Sequence, residues 1–283
     1  MLHTRIVTAL ILACAVLAGL FLLPPRWWAV AVLAAVALAA AEWARLAAWS
    51  GTGRRLFVAG IVGAGLALVF APVARFADGW PAEVVLAVCG VATLFWLLVA
   101  PPWLATRWRP AGAMPLLLAG TVVLLGTFVA LVQLQSRSPW LALAAMAVVW
   151  IADTAAYFAG RAFGRRKLAP LISPGKTWEG VYGALAAVAL YALALSLLAP
   201  RAGAIAVPGP ATTVAFVAFM LLLAALSVAG DLFESMLKRH VGVKDSGALL
   251  PGHGGILDRI DALLAALPPA AVAVTLAAPG LLR

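Results

Sequence analysis

Residues 211–282 read ATTVAFVAFMLLLAALSVAG, then DLFESMLKRHVGVKDSGALLPGHGGILDRID, then ALLAALPPAAVAVTLAAPGLL. Two apolar runs, each of about the 20 residues that a helix needs to cross a bilayer core, enclose one polar block. That block, 231–261, holds five of the ten acidic residues of the chain: Asp231, Glu234, Asp245, Asp258 and Asp261. Lys238, Arg239, Lys244, Arg259, His240 and His253 stand among them. Charge gathered so densely between membrane-length runs points to chemistry at the water-facing edge of a membrane.

The rest of the chain is more apolar still. It has 283 residues, 65% of them hydrophobic and 11% charged, with a mean hydropathy of +1.09. Soluble domains are about half apolar and a quarter charged, so the expected fold is an all-α polytopic membrane protein. Nine runs meet or approach spanning length: 6–23, 27–41, 56–71, 82–100, 113–134, 140–160, 180–199, 211–230 and 262–282. The second and third are short and the third is interrupted by glycine, so eight is the alternative count. Arg5 before the first run suits a secretion signal, but the run is long and no clear small-x-small cleavage site follows it before Pro24-Pro25, so it is read as a span. Residues 1–138 then form an N-terminal set of helices and 139–283 the catalytic region of one membrane unit. Cys14 and Cys89 lie inside apolar runs and read as small buried hydrophobes rather than a disulfide pair.

Basic residues orient the spans. The formal charge is +10, with 20 Lys and Arg, which in a membrane protein marks cytoplasmic loops and anionic headgroups rather than nucleic acid. With the N-terminus inside, most of them fall on one side, from Arg5 through Arg54, Arg107 and Lys167 to Lys244. Arg26, Arg75, Arg137, Arg201 and Arg283 remain outside. The polar loops 161–179 and 231–261 therefore share the cytoplasmic side. Trp27, Trp28, Trp80, Trp103, Trp108 and Trp140 lie near span ends and read as interfacial anchors. The first half otherwise offers little chemistry.

The polar residues sort by spacing. Asp231, Glu234, Ser235 and Lys238 recur at i, i+3, i+4 and i+7, one face of a helix. Asp258 and Asp261 share a second face, and Gly252-His253-Gly254-Gly255 between them gives a turn whose backbone can approach a ligand. Carboxylates brought together repel one another and need a cation. Hard oxygen donors suit Mg²⁺, which keeps waters and bridges to substrate phosphates. A zinc site is not expected, because no Cys or His stands at ligand spacing. Asp153 lies within the sixth span, with Tyr157 one turn on; an ionisable residue there is a functional candidate, with a hydrogen-bonded structural role as the alternative. Ser173, Lys176 and Thr177 fall in a non-helical stretch broken by Pro174-Gly175. Its GKT is no P-loop, since Pro170 stands where the motif needs glycine and no strand precedes it, but its lysine and hydroxyls suit phosphate oxygens. Glu179 reads equally well as an acid at a helix start. Arg239 and Lys244 alone could be a solvated charged loop.

The run from Ser235 resembles the signature of phosphatidate cytidylyltransferases (CDP-diacylglycerol synthases), S-x-x-K-R-x4-K-D-x-G-x-x-x-P-x-H-G-G-x-x-D-R-x-D. It is met by Ser235, Lys238, Arg239, Lys244, Asp245, Gly247, Pro251, His253, Gly254, Gly255, Asp258, Arg259 and Asp261. The block from Asp153 to Glu179 also resembles the family, with Gly175 where a lysine is expected. The resemblance implies transfer of the cytidylyl group of CTP to phosphatidate, releasing pyrophosphate, with Mg²⁺ and room for a second, monovalent cation such as K⁺. It implies metal ligation by Asp231, Asp258 and Asp261, with Lys238 and Arg239 beside them in catalysis. Substrate contacts fall to Ser173, Lys176, Thr177, Ser235, His253, Gly254, Gly255, Arg259 and Asp153. Lys244 and Asp245, mid-loop, are the least direct members. A homodimer in a bacterial cytoplasmic (inner) membrane completes the expectation.

Three other readings compete. A transporter would spread polar residues along several spans at mid-depth, and here they gather at one side. A phosphatidyltransferase would carry D-G-x2-A-R…G-x3-D-x3-D, which is absent. A CTP-dependent lipid or dolichol kinase is the nearest enzymatic alternative, and its products differ.

Overall fold

The computed structural model describes residues 2–71, 79–198 and 210–281. Arg75, Arg201 and Arg283 of the orientation argument lie outside them. The helices are α1 (Leu2–Leu22), α2 (Pro25–Leu46), α3 (Gly51–Phe70), α4 (Ala82–Leu94), α5 (Ala100–Thr106), α6 (Ala113–Arg137), α7 (Pro139–Phe163), α8 (Trp178–Leu198), α9 (Pro210–His240) and α10 (Leu257–Leu281). A π-helical turn, Phe95–Val99, joins α4 to α5. It precedes Pro101-Pro102, whose missing N–H groups break the ordinary bonding ladder. Among the described residues, eight helices are long and apolar enough to cross a membrane, with Ala82–Thr106 counted as one. Among the described residues, all nine hydropathic runs are helical apart from the end residues Leu23 and Ala71. It is α1, apolar over Ile6–Leu22, that falls short of spanning length; the glycine-containing α3 does not. The chain is an all-α polytopic membrane protein carrying one small antiparallel hairpin, β1 (Lys167–Ala169) with β2 (Ser173–Thr177).

Local chemistry sets the helix ends. Pro25 and Pro139 start α2 and α7, where a missing N–H costs nothing. Ser138 caps α7 by accepting from Trp140 N at 3.2 Å, and it is the one residue between α6 and α7. At the centre stands α10, packed on α9, α6 and α4. Its residues Ala262 to Leu267 are all buried, as expected of a helix that is apolar all round. The pair α7 and α8 approaches through small residues. A Cβ on Gly180 would stand 2.9 Å from Ala156 O, and one on Gly183 would overlap the Ala159 methyl.

Two expectations need correction. Trp28, Trp80 and Trp103 are not interfacial but buried, while Trp27, Trp108 and Trp140 are exposed. Each buried indole N–H finds a carbonyl: Trp28 to Leu131 O at 3.4 Å, Trp80 to Leu68 O at 3.0 Å and Trp103 to Trp108 O at 2.7 Å. A satisfied N–H lets a large aromatic ring enter a core. Cys14 is exposed rather than buried, whereas Cys89 is buried, and both are free.

The α7–α8 contact yields a first test. Gly183→Leu forces the two helices apart, and overpacking of this kind costs about 1–3 kcal/mol. Thermal unfolding of the detergent-purified protein should shift down accordingly; an unchanged transition contradicts the packing described here.

Candidate active site

At one end of the bundle, α9 outruns the membrane. Its 31 residues span about 46 Å at 1.5 Å per residue, against about 30 Å of hydrocarbon. The face predicted from spacing lies on its last turns. Glu234, Ser235 and Lys238 are buried. Lys238 Nζ pairs with Glu234 Oε2 one turn back and with Asp258 Oδ1 in the first turn of α10, at 2.7 Å. One buried ammonium thus ties two helices through two carboxylates.

Asp258 has no idle oxygen. Besides Lys238 on Oδ1, its Oδ2 accepts from Gly255 N at 2.8 Å, Ser246 N at 2.9 Å and Ser246 Oγ at 3.0 Å. Loop 241–256 is wrapped around this carboxylate. Gly254 adopts φ +77°, and a Cβ there would stand 2.6 Å from Asp258 Oδ2, so the turn needs glycine for conformation and for space. His253 closes the same turn, its N–H donating to Leu250 O at 2.9 Å.

The two polar loops meet, as expected. Lys176, on β2, pairs with Asp231 Oδ2 at 2.5 Å, and Ser235 Oγ donates to Asp231 Oδ1 at 3.2 Å. Arg239 donates from Nε to Ile172 O in the hairpin and from Nη1 to Val243 O in the loop. Glu179 accepts from the backbone N–H groups of Arg165 and Arg166, closing the neck of the hairpin. Thr177 is buried and its hydroxyl accepts from Gly180 N at 3.2 Å, so it caps α8.

A cavity of about 710 Å³ opens between α7, the hairpin, α9 and the start of α10. Five carboxylates line it, Asp153, Asp231, Asp245, Asp258 and Asp261, together with the basic groups Arg161, Lys176, Lys238, Arg239, Lys244 and Arg259. A second cavity of about 540 Å³ adjoins it inside loop 244–254, with His253 and Gly254 in its lining. Lys244, Asp245 and Arg259 line both. Lys244 and Asp245, mid-loop and expected to be the least direct, thus stand between the two spaces with Arg259 of α10, an expected substrate contact.

Among the described residues, no three His, Cys, Asp or Glu side chains converge as a ready metal cage. All three expected carboxylates, Asp231, Asp258 and Asp261, line the large cavity, and Asp258 is also bonded to Lys238, Ser246 and Gly255. Hard carboxylate donors without a closed cage still fit Mg²⁺, which is usually held by one or two carboxylates together with substrate phosphates.

One residue escaped the sequence reading. Glu42, at the end of α2, is buried; its Oε2 accepts from Ser246 Oγ at 2.9 Å and from Leu257 N at 2.8 Å. The hydropathic run ends at Ala41, which puts Glu42 in a loop. The helix continues to Leu46, and the rule that singled out Asp153, an ionisable group within a span, applies to Glu42 as well.

A family model described as the cytidylyltransferase family matches residues 3–277. The chain belongs to that family. Over 95% of this chain and of the relative, it is 40% identical to the phosphatidate cytidylyltransferase of Pseudomonas aeruginosa. It is 36% identical to the one of Haemophilus influenzae, over 95% of this chain and 96% of the relative. Over a shorter segment, 42% of this chain and 41% of the relative, it is 51% identical to the enzyme of that name in Brucella suis. Membership agrees with the signature resemblance of 235–261 and extends it through the N-terminal helices.

Lys238 yields the second test. Lys238→Met leaves Glu234 and Asp258 facing each other, buried and unpaired, and breaking such an ion cluster typically costs about 3–5 kcal/mol. The variant should unfold far below the wild type and bind no nucleotide; wild-type stability contradicts the bridging role.

Proposed function

We propose that the chain catalyses CTP + phosphatidate → CDP-diacylglycerol + pyrophosphate, at the cytoplasmic face of a bacterial inner membrane, with its N-terminus inside. The observation that carries this is the 710 Å³ cavity, lined by carboxylates and by lysine and arginine side chains together, set where α9 leaves the apolar zone. A nucleotide triphosphate and an anionic lipid headgroup both need cationic partners, and Lys176, Lys244 and Arg259 supply them there. The excess of basic residues on the site's side of the chain supports the cytoplasmic placement. The homodimer rests on the family resemblance alone.

Phosphoryl-type transfer depends on positioning and charge neutralisation more than on covalent help from the protein. A phosphatidate oxygen attacks the α-phosphorus of CTP, the bond from that phosphorus to the bridging oxygen breaks, and pyrophosphate leaves with the electron pair. The attacking phosphate is already ionised near neutral pH, so no general base is required. Lys176 reaches the phosphates by exchanging Asp231 for them. Arg259 and Lys244, at the junction of the two cavities, hold the second anion beside the first. Ser173 and Ser235 donate hydrogen bonds from the cavity wall. Asp231 and Asp261, with Asp153 beside them, are the residues that would hold Mg²⁺, and Asp258 joins them only by releasing Lys238. Bound with the nucleotide, the ion would neutralise charge on the phosphates; a monovalent cation beside it is a further part of the proposal.

Purified protein in mixed micelles with phosphatidate, labelled CTP and Mg²⁺ should give labelled CDP-diacylglycerol and pyrophosphate, and chelation should abolish turnover reversibly. CDP with a newly phosphorylated lipid would instead identify a kinase. Asp231→Asn removes both the partner of Lys176 and a proposed metal oxygen. Its kcat should fall about 10²–10³-fold, the range typical for deleting one preorganised electrostatic contact; a wild-type rate removes Asp231 from the site.

A further inference from the structure

We infer that Glu42, in the N-terminal half of the chain, is a positioning residue for turnover, acting through Ser246 on Asp258. The inference rests on the proposed cytidylyl transfer and adds to it a residue that lines neither cavity. Ser246 is buried and held at every polar atom. Its N–H donates to Asp258 Oδ2, its carbonyl accepts from Arg45 Nη2 at 3.0 Å, and its hydroxyl lies between Glu42 Oε2 at 2.9 Å and Asp258 Oδ2 at 3.0 Å. A hydroxyl has one proton. It serves one of these two carboxylates at a time, so Ser246 is a link whose setting depends on where Glu42 stands.

Glu42 is itself firmly placed. Arg45, one turn on, pairs with its Oε1 at 3.7 Å. Neighbouring Trp43 stacks on Phe233 of α9 with ring centroids 6.3 Å apart, and its Nε1 donates to Leu116 O at 2.9 Å. The second bond to Oε2 comes from Leu257 N, the first residue of α10. One carboxylate therefore holds both ends of the segment that presents Asp258: Ser246 before it and Leu257 beside it. The loop also passes at backbone contact. A Cβ on Gly247 or Gly255 would overlap the Glu42 carboxylate.

Packing α2 into the bundle does not require this group. A buried carboxyl is costly unless hydrogen-bonded, and here Ser246 Oγ and Leu257 N supply those bonds. What the carboxylate adds is direction: two fixed donors on one oxygen set the orientation of the Asp258–Lys238 pair at the floor of the cavity. In this way the N-terminal helices take part in the site without touching substrate.

The test uses the full chain in phosphatidate micelles with CTP and Mg²⁺, together with thermal unfolding. In Glu42→Ala, kcat should fall about 10²-fold, the cost of an ångström-scale displacement of a reacting geometry, while KM for CTP stays within about threefold. Glu42→Gln keeps a carbonyl oxygen that accepts from Leu257 N and Ser246 Oγ, and should recover to within about tenfold of the wild type. Gly247→Ala should lower turnover in the wild type yet add little in the Glu42→Ala background, because the atoms it would strike are largely gone. If Glu42→Ala has no folded transition, Glu42→Asp decides: it retains charge for Arg45 but withdraws the carboxylate from the loop. Wild-type kcat in a folded Glu42→Ala or Glu42→Asp overturns the inference, as do independent, multiplicative losses in the Gly247 pair. A wild-type chain that forms no CDP-diacylglycerol overturns the proposed reaction, and this inference with it; that result is distinct from an active wild type with equally active variants.

Discussion

Lys238 between Glu234 and Asp258 is the constraint on which the rest of the structure depends. Three charges with little access to water hold best when their geometry is close and their remaining hydrogen-bonding capacity is filled; Glu234 has Lys238 as its partner. Asp258 satisfies that demand by taking three further donors from Ser246 and Gly255. The cluster therefore sets more than one ion pair. It fixes the start of α10 against the end of α9 and determines the path of the loop between them. That path carries Lys244, Asp245 and Arg259 to the junction of the two cavities.

Membrane geometry decides where this cluster can exist. In a wholly apolar environment an ammonium and two carboxylates would find too few polar partners. Because α9 is longer than the hydrocarbon thickness, its polar face emerges at headgroup depth. There, loops from α7–α8 and α9–α10 supply backbone N–H groups that lipid cannot. The same end of the bundle receives the last turn of α2, bringing Glu42 and Arg45 under the loop. Small residues between α7 and α8 let the hairpin that follows α7 lie close to Asp231, and the Lys176–Asp231 pair closes the cavity from that side.

Much of this was legible along the chain because it is local. The i, i+3, i+4, i+7 face of Asp231–Lys238, the first-turn placement of Asp258 and Asp261, and the turn at Gly252–Gly255 follow from helical periodicity and backbone freedom within a few residues. Thr177 and Glu179 were visible as polar residues at a helix start, but their work in capping α8 and closing the hairpin neck needed the fold. Trp28, Trp80 and Trp103 were misplaced for the same reason. For these three the N–H finds a carbonyl on a neighbouring helix or in the adjoining loop, and hydropathy is blind to that partner.

The sequence by itself determined the class of the protein, the positions of its helices, the chemical character of its polar end and the signature of its family, since these rest on composition and short-range spacing. Tertiary structure decided which carboxylate does what. Asp258 and Asp261 share a helix face three residues apart and line one cavity, yet Asp258 also takes donors from Lys238, Ser246 and Gly255. Tertiary structure also brought Glu42 to Ser246 across 204 positions. A carboxylate takes its role from whichever donors the packed helices bring within about 3 Å, and no spacing within a single helix encodes a neighbour contributed by another.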